Sequence, residues 1–224
     1  MKRGKLIAIE GTDASGKNTQ TTLLYNKLIE MNIPVVRDTF PRYNTPTGRI
    51  IGGPLLGKPE IGESYFENPA DVDPITFSLF YAADRRFSLH FINETLDSGK
   101  NLILDRYVAS NMGHQGGKIR NPVEREEFYK LLEQLEFGMC KLPRPDLTAF
   151  LLMPFEKGIE LKSKMNVQKD EVEKDFNYLK NSEESYLQLA QLYNWKTINC
   201  VKGDKIKTPQ EIHEELFSTV QKIL

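Results

Sequence analysis

The stretch Leu6-Ile7-Ala8-Ile9-Glu10-Gly11-Thr12-Asp13-Ala14-Ser15-Gly16-Lys17-Asn18-Thr19-Gln20 decides the fold. Its first five residues are a near-continuous apolar run, the signature of a strand buried on both faces of a parallel sheet. Gly11 to Lys17 then match a G-x-x-x-x-G-K phosphate loop, and helical spacing follows at Thr21, Leu24, Leu28 and Met31. In that strand-loop-helix setting the glycines let backbone N–H groups close around phosphate oxygens. The helix N-terminus adds partial positive charge, and Lys17 supplies a point charge at the transferring end of a triphosphate. ATP binding is therefore assigned to Gly11, Thr12, Asp13, Ala14, Ser15, Gly16, Lys17, Asn18 and Thr19. One position departs from the motif: Asn18 stands where Ser or Thr usually offers a hydroxyl to Mg²⁺.

Further short apolar runs at Ile33 to Arg37, Asn101 to Asp105, Leu147 to Met153 and Trp195 to Asn199 bring the expected strands to five. Helical periods lie between them, at Phe80, Ala83, Phe87 and Phe91 and at Phe128, Leu131, Leu132 and Leu135. Alternation of strand and helix implies right-handed crossovers, with helices on both faces of one parallel sheet. The last helix opens on a capping box, Thr208-Pro209-Gln210-Glu211, and carries Ile212, Leu216, Val220 and Ile223 on one stripe. Residues 44 to 74, rich in Pro and Gly, read as a short helix with loops. The expectation is an α/β, three-layer fold over residues 1–224: a single domain with a five-stranded parallel sheet and a mobile lid.

The chain has 224 residues, 39% of them hydrophobic and 27% charged, which suits a folded globular protein. A formal net charge of −1 provides no field for gripping a nucleic-acid backbone, and no apolar run approaches a membrane span. The apolar run near the N-terminus is too short for a signal peptide. Cys140 and Cys200 lack metal-ligand spacing, so a reducing, cytoplasmic compartment is expected.

Which phosphate-loop protein this is follows by elimination. No guanine-reading N-K-x-D motif occurs, and a motor or large ATPase needs more chain, which leaves a compact kinase with a second phosphate site. Arginines are the natural candidates, because their planar fork grips phosphate and stays charged. Arg42 and Arg106 follow the second and third strands, where the carboxyl ends of an open sheet place ligand contacts. Phe77, Tyr81 and Arg85 share one helix face, so aromatic rings that stack a base and a guanidinium that reads its edge sit a turn apart.

At this point the chain resembles the thymidylate kinase family. The resemblance is carried by Gly11-Thr12-Asp13-Ala14-Ser15-Gly16-Lys17, Phe40-Pro41-Arg42-Tyr43, Ala83-Asp84-Arg85 and Asp105-Arg106-Tyr107-Val108-Ala109-Ser110-Asn111, with Pro143-Arg144-Pro145-Asp146 opening the fourth strand. It implies ATP-dependent phosphorylation of dTMP to dTDP with Mg²⁺, and a homodimer. Another nucleoside monophosphate or deoxynucleoside is the alternative acceptor.

By the same resemblance, Lys17, Asp13, Arg106 and Arg120 form the catalytic set, with Asp13 at the acceptor sugar's 3′-hydroxyl. Arg42 and Arg106 would orient the acceptor phosphate, within a segment that includes Phe40 and Tyr43, and Asp105 would hold Mg²⁺. Phe77, Tyr81 and Arg85 would frame the thymine, with Asn111, His114 and Gln115 near its polar edge and the sugar. The family's mobile lid would fall at about residues 113–125, where Lys118, Arg120 or Arg125 could close over the γ-phosphate; Arg120 is the first choice. The acidic stretch Lys169 to Asp175 reads as a solvated helix face, and His90 as core-edge packing.

Overall fold

The computed structural model describes residues 2–68, 71–164 and 176–224. The acidic stretch Lys169 to Asp175 lies outside the described residues. Five parallel strands form the sheet: β1 (Leu6–Gly11), β2 (Val35–Thr39), β3 (Asn101–Asp105), β4 (Leu147–Leu152) and β5 (Lys196–Asn199). Their order is β2-β3-β1-β4-β5, which puts β1 between β3 and β4 and creates the crevice at the strand carboxyl ends where open sheets bind ligands.

The continuous apolar runs of β1 and β3 are explained by burial on both faces. Leu6, Ala8, Leu102 and Leu104 point into one core, with Ile92 and Leu96 of α4 (Leu89–Asp97), Met112 of α5 (Val108–Gly116), Phe128 and Leu132 of α6 (Pro122–Glu133) and Leu189 of α8 (Phe176–Leu192). Ile7, Ile9 and Ile103 point to the other, with Leu24 and Leu28 of α1 (Lys17–Glu30) and Ile212, Leu216 and Val220 of α9 (Pro209–Val220). The capping box of α9 is formed, Thr208 and Glu211 each serving the other's backbone.

Between β2 and β3 lie α2 (Pro46–Ile50), which runs on as a π-helical turn to Leu55, then α3 (Pro74–Phe87) and α4. Here the expected stripe Phe80, Ala83, Phe87, Phe91 does not hold. Helix α3 ends at Phe87, which is 57% exposed, while Phe77, Ala82, Asp84 and Arg85 are buried. The apolar period in the sequence runs across Ser88, where the chain breaks from α3 into α4. His90 is likewise not at the core edge: its imidazole faces solvent beside Glu94. After β4 come α7 (Phe155–Lys164) and α8, and a small antiparallel hairpin, β6 (Val201–Lys202) with β7 (Lys205–Ile206), precedes α9.

Candidate active site

The phosphate loop is held open by its own sequence. A Cβ on Gly11 would lie 2.4 Å from Ser15 Oγ and 2.8 Å from the Leu151 carbonyl, so only glycine admits the loop there. Ala14 and Gly16 adopt φ of 56° and 76°, the alternating conformation that turns successive N–H groups inward. Thr12 fastens the loop to the end of β4, its hydroxyl donating to Met153 O at 2.6 Å and accepting from Met153 N at 2.9 Å. Lys17 arches across the loop, its ammonium donating to the carbonyls of Gly11 at 3.0 Å and Thr12 at 2.9 Å. Burial, then the nearby Arg106, lower its pKa to about 8 against the pull of Asp105, Asp13 and Glu10. A buried cation suppressed by a second cation is one that an arriving anion would restore.

Asn18, at the position of the missing hydroxyl, is exposed, and its Oδ1 accepts from Arg37 Nη1 of β2 at 3.2 Å. Among the described residues no cluster of three His, Cys, Asp or Glu side chains could hold a metal by itself. Asp105, at the end of β3, is one of three carboxylates, with Glu10 and Asp13, that act on both Lys17 and Arg106.

Beside the loop opens a cavity of about 270 Å³. Asp13, Phe40, Tyr43, Phe77, Tyr81, Arg85, Arg106, Asn111, His114 and Gln115, all expected at the acceptor, line it together. The aromatic end is built by Phe77 and Tyr81, ring centroids 6.0 Å apart, with Lys118 Nζ 4.7 Å above the Phe77 ring. Arg106 stands at the other end with φ of 67°, a left-handed conformation rare for a side-chain-bearing residue. Glu10 secures that turn: its fully buried carboxylate accepts from Tyr107 N at 2.7 Å and Ser110 Oγ at 2.5 Å. Burial raises the Glu10 pKa, while these hydrogen bonds and Arg106 oppose the shift.

Arg106 Nη1 lies 2.9 Å from His114 Nε2. Because guanidinium only donates, Nε2 is an acceptor, and the proton of the neutral imidazole sits on Nδ1, which faces Tyr178 Oη at 3.1 Å. Burial, then the Arg106 and Lys17 cations, push the His114 pKa well below its usual range.

Arg42 does not line this cavity. Its Nε lies 2.9 Å from Asp38 Oδ2, its Nη1 3.4 Å from Ser88 Oγ, and its guanidinium 4.3 Å from the Phe91 ring, all on the α4 side. A carboxylate four residues back and an aromatic face compete successfully for the side chain. Residues 113–125 also depart from expectation. Gly113 and Gly116 are buried within α5, and a Cβ on Gly113 would press to 2.5 Å against Tyr186 and one on Gly116 to 2.6 Å against Tyr129. These glycines permit close helix packing. Arg125 is buried and donates to Ile119 O at 2.8 Å, while Arg120 is exposed and absent from the cavity wall.

The cation that does meet the loop is Lys162 of α7, paired with the Asp13 carboxylate. Burial would raise the Asp13 pKa, but the Lys162 partner outweighs it and holds the group below its usual value. Gly158 of the same helix lets α7 approach: its Cβ would sit 3.1 Å from Asp13 O. Lys162, Tyr178, Ser110 and Glu10 are given no role by the sequence alone. Ser110 lies within the Asp105 to Asn111 motif and Glu10 shows as an acidic residue interrupting an apolar strand, while Lys162 and Tyr178 carry no such signal.

A family model described as thymidylate kinase matches residues 9–212. The thymidylate kinase of Prochlorococcus marinus (strain NATL2A) is 31% identical over 99% of this chain and 98% of its own length. The probable thymidylate kinase 1 of Saccharolobus solfataricus is 31% identical over 98% of both. The chain belongs to the thymidylate kinase family. It is a nucleoside monophosphate kinase, a phosphotransferase acting from ATP on dTMP to give dTDP. The solved structure of thymidylate kinase from Candida albicans, 24% identical, shares the fold with a TM-score of 0.71, covering 98% of this kinase and 92% of that chain.

Proposed function

We propose that this kinase binds ATP in the loop Gly11 to Thr19 and dTMP in the adjoining cavity, with phosphoryl transfer taking place between Lys17 and Arg106. One arrangement carries this assignment: Asp13 and Arg106 line one cavity together with the aromatic rings of Phe77 and Tyr81, and Lys17 of the loop is close enough to feel the charge of both. The acceptor phosphate is already an anionic nucleophile, so the chain needs no general base. Its contribution is positioning and neutralising two polyanions. Lys17 would steady the donor phosphates, Arg106 the acceptor phosphate, and Asp13 the sugar hydroxyl. Lys162, already at Asp13, suits the closing role better than Arg120.

Mg²⁺ normally binds through one or two carboxylates plus substrate phosphates, and a lone Asp105 fits that donor set while Asn18, turned to Arg37, does not add to it. When bound with ATP the ion supplies neutralisation of phosphate charge.

A homodimer is proposed on the outer face of α3, where Ile75, Leu79 and Phe87 are 44, 50 and 57% exposed one or more turns apart. Sedimentation of an Ile75→Asp variant at half the native mass would support it. A reducing, cytoplasmic setting fits two buried free thiols. Among the described residues no helix is long and apolar enough to cross a membrane.

The test is an acceptor panel of dTMP, dUMP, dCMP and dGMP with ATP and Mg²⁺, repeated on two arginine variants. Arg106→Ala is expected to lower kcat/KM for dTMP by about 10²–10³ without unfolding. Arg42→Ala should leave turnover within about threefold while costing stability, because it acts on Asp38 and Phe91 outside the cavity. Preference for a purine monophosphate, or the reverse ranking of the two arginines, would overturn the assignment.

A further inference from the structure

Arg85 is 2% exposed, and its partner Glu136 is fully buried. The contact is a fork: Arg85 Nε donates to Glu136 Oε2 at 2.9 Å, and Nη2 donates to Oε1. Only Nη1 is left over. It lies 3.5 Å from Tyr107 O, on the cavity side. Glu136 reaches this position because α6 does not continue regularly. A π-helical turn, Gln134–Met139, follows it, with Cys140 N bonded to Leu135 O at 2.8 Å, and such turns re-aim a side chain that a regular helix would place elsewhere.

The same carboxylate fixes a second reader. Asn111 Nδ2 lies 3.2 Å from Glu136 Oε1 and 3.3 Å from Ser78 O. Both partners only accept, so the amide nitrogen must face them and Oδ1 must face the other way. Asn111 is 3% exposed, and its Oδ1 has no hydrogen-bond partner among the described residues. Gln115 repeats the pattern, 3% exposed with Oε1 equally unpartnered. Buried acceptors of this kind are costly, and both belong to residues lining the same cavity.

We infer that Glu136 is a positioning and specificity-determining residue: by clamping Arg85 and orienting Asn111, it presents the acceptor base with one donor beside unpartnered acceptors. Thymine and uracil offer the complement, a carbonyl oxygen at position 4 and an N–H at position 3. Cytosine offers the inverse, an amino group and a bare ring nitrogen. It would bring a donor against Arg85 and leave Asn111 Oδ1 unpaired. Glu136 itself does not touch the base; it acts through Arg85 and Asn111. The inference rests on this cavity being the pyrimidine site, and it adds the reason why one pyrimidine is accepted and the other refused.

Glu136→Gln tests it, because the amide keeps the shape but replaces an acceptor-only group with one that can also donate. Initial rates are measured with dTMP and dCMP at saturating ATP. In the native enzyme dTMP should be strongly preferred; native preference for a purine would defeat the reading of the site and not this inference. In Glu136→Gln, KM for dTMP should rise about 10- to 100-fold, the range expected from disturbing a hydrogen bond to a charged group. KM for ATP and kcat should hold within about threefold, and the dTMP-to-dCMP ratio of kcat/KM should fall by about tenfold or more.

A merely structural role would lower both acceptors alike, so an unchanged ratio overturns the inference. Should this variant fail to fold, Glu136→Asp keeps the buried charge beside Arg85 but is too short to hold the fork and Asn111 together. It is expected to bind ATP as the native enzyme does and to lower the dTMP-to-dCMP ratio of kcat/KM; a native ratio overturns the inference.

Discussion

Replacing Gly113 by alanine sets two effects of opposite sign against each other. Gly113 lies inside α5, and alanine in a helix interior is favoured over glycine by about 0.5–1 kcal/mol. Against this, the new methyl would meet three atoms of the Tyr186 ring at 2.5, 2.6 and 2.7 Å, closer than real Cβ contacts come. The ring cannot step aside: Tyr186 is fully buried, stacks on Phe150 at 5.4 Å and donates its hydroxyl to Ser110 at 3.3 Å. Overpacking of that kind costs about 2–3 kcal/mol, which outweighs the helical gain and leaves a net loss of about 1–2 kcal/mol. For a chain of this size the melting midpoint should fall by about 2–8 °C. Because Tyr186 also meets His114 edge-on, KM for dTMP should rise as well. Calorimetry and an acceptor titration read both effects. A midpoint raised by a few degrees, as an exposed helical glycine would give, would refute the claim that this stretch is packed against α8.

Two further outcomes follow from the charges around the loop. Removing the cation at Asp13 with Lys162→Met should lower kcat about 10- to 100-fold, with KM for dTMP little changed, if this lysine helps neutralise charge developing during transfer. It should also return the Asp13 pKa toward its ordinary value, moving the acid limb of the rate profile upward; a variant with lower stability but native kcat and pH profile would assign Lys162 to structure alone. His114 makes a prediction about acid stability. Its folded pKa lies below the unfolded value of 6.5, so the unfolded chain binds the extra proton first, and stability present above that value is lost as pH falls toward the folded one. The slope should approach about 1.4 kcal/mol per pH unit below 6.5, and His114→Gln should flatten it; an unaltered pH dependence in urea titrations would show that His114 is protonated without penalty.

The centre of the sheet was legible because β1 and β3 are buried on both faces, which leaves near-continuous apolar runs, while the edge strands β2 and β5 bury only Val35 and Ile198 and show in sequence mainly through their place between helices. The phosphate loop was legible because its chemistry is local: glycines, lysine and the following helix all fall within ten residues. What was misread shares one cause. Gly113, Gly116 and Gly117 follow a recognised motif and precede three cations, and in sequence a glycine that permits motion looks the same as one that permits contact. Only Tyr129, Ser182 and Tyr186, more than ten to some seventy positions away, decide between them. Arg42 lies off the cavity wall for a similar reason: Asp38 is visible in sequence as a partner but the Phe91 ring is not. The ten residues expected at the acceptor other than Arg42 do share one cavity wall, because they cluster at the ends of adjacent strands or on helix faces beside them, whereas Leu56, Lys58, Tyr178 and Leu179 of the same wall come from distant segments.

Two buried carboxylates act through other residues. Glu10 holds Arg106 in its left-handed turn, and Glu136 holds Arg85 and Asn111. Each places a buried charge behind a group that lines the cavity beside the phosphate loop, where the low dielectric makes the pairing strong and the loss of one partner expensive. A kinase that relies on positioning needs its arginines fixed before the nucleotides arrive, since every rotamer frozen on binding subtracts from the stabilisation available at the transition state. The carboxylates therefore do their work in the free enzyme. That order of events separates them from the groups they support: removing Arg106 or Arg85 deletes a contact, whereas neutralising Glu10 or Glu136 leaves the contact possible and raises the entropic cost of making it.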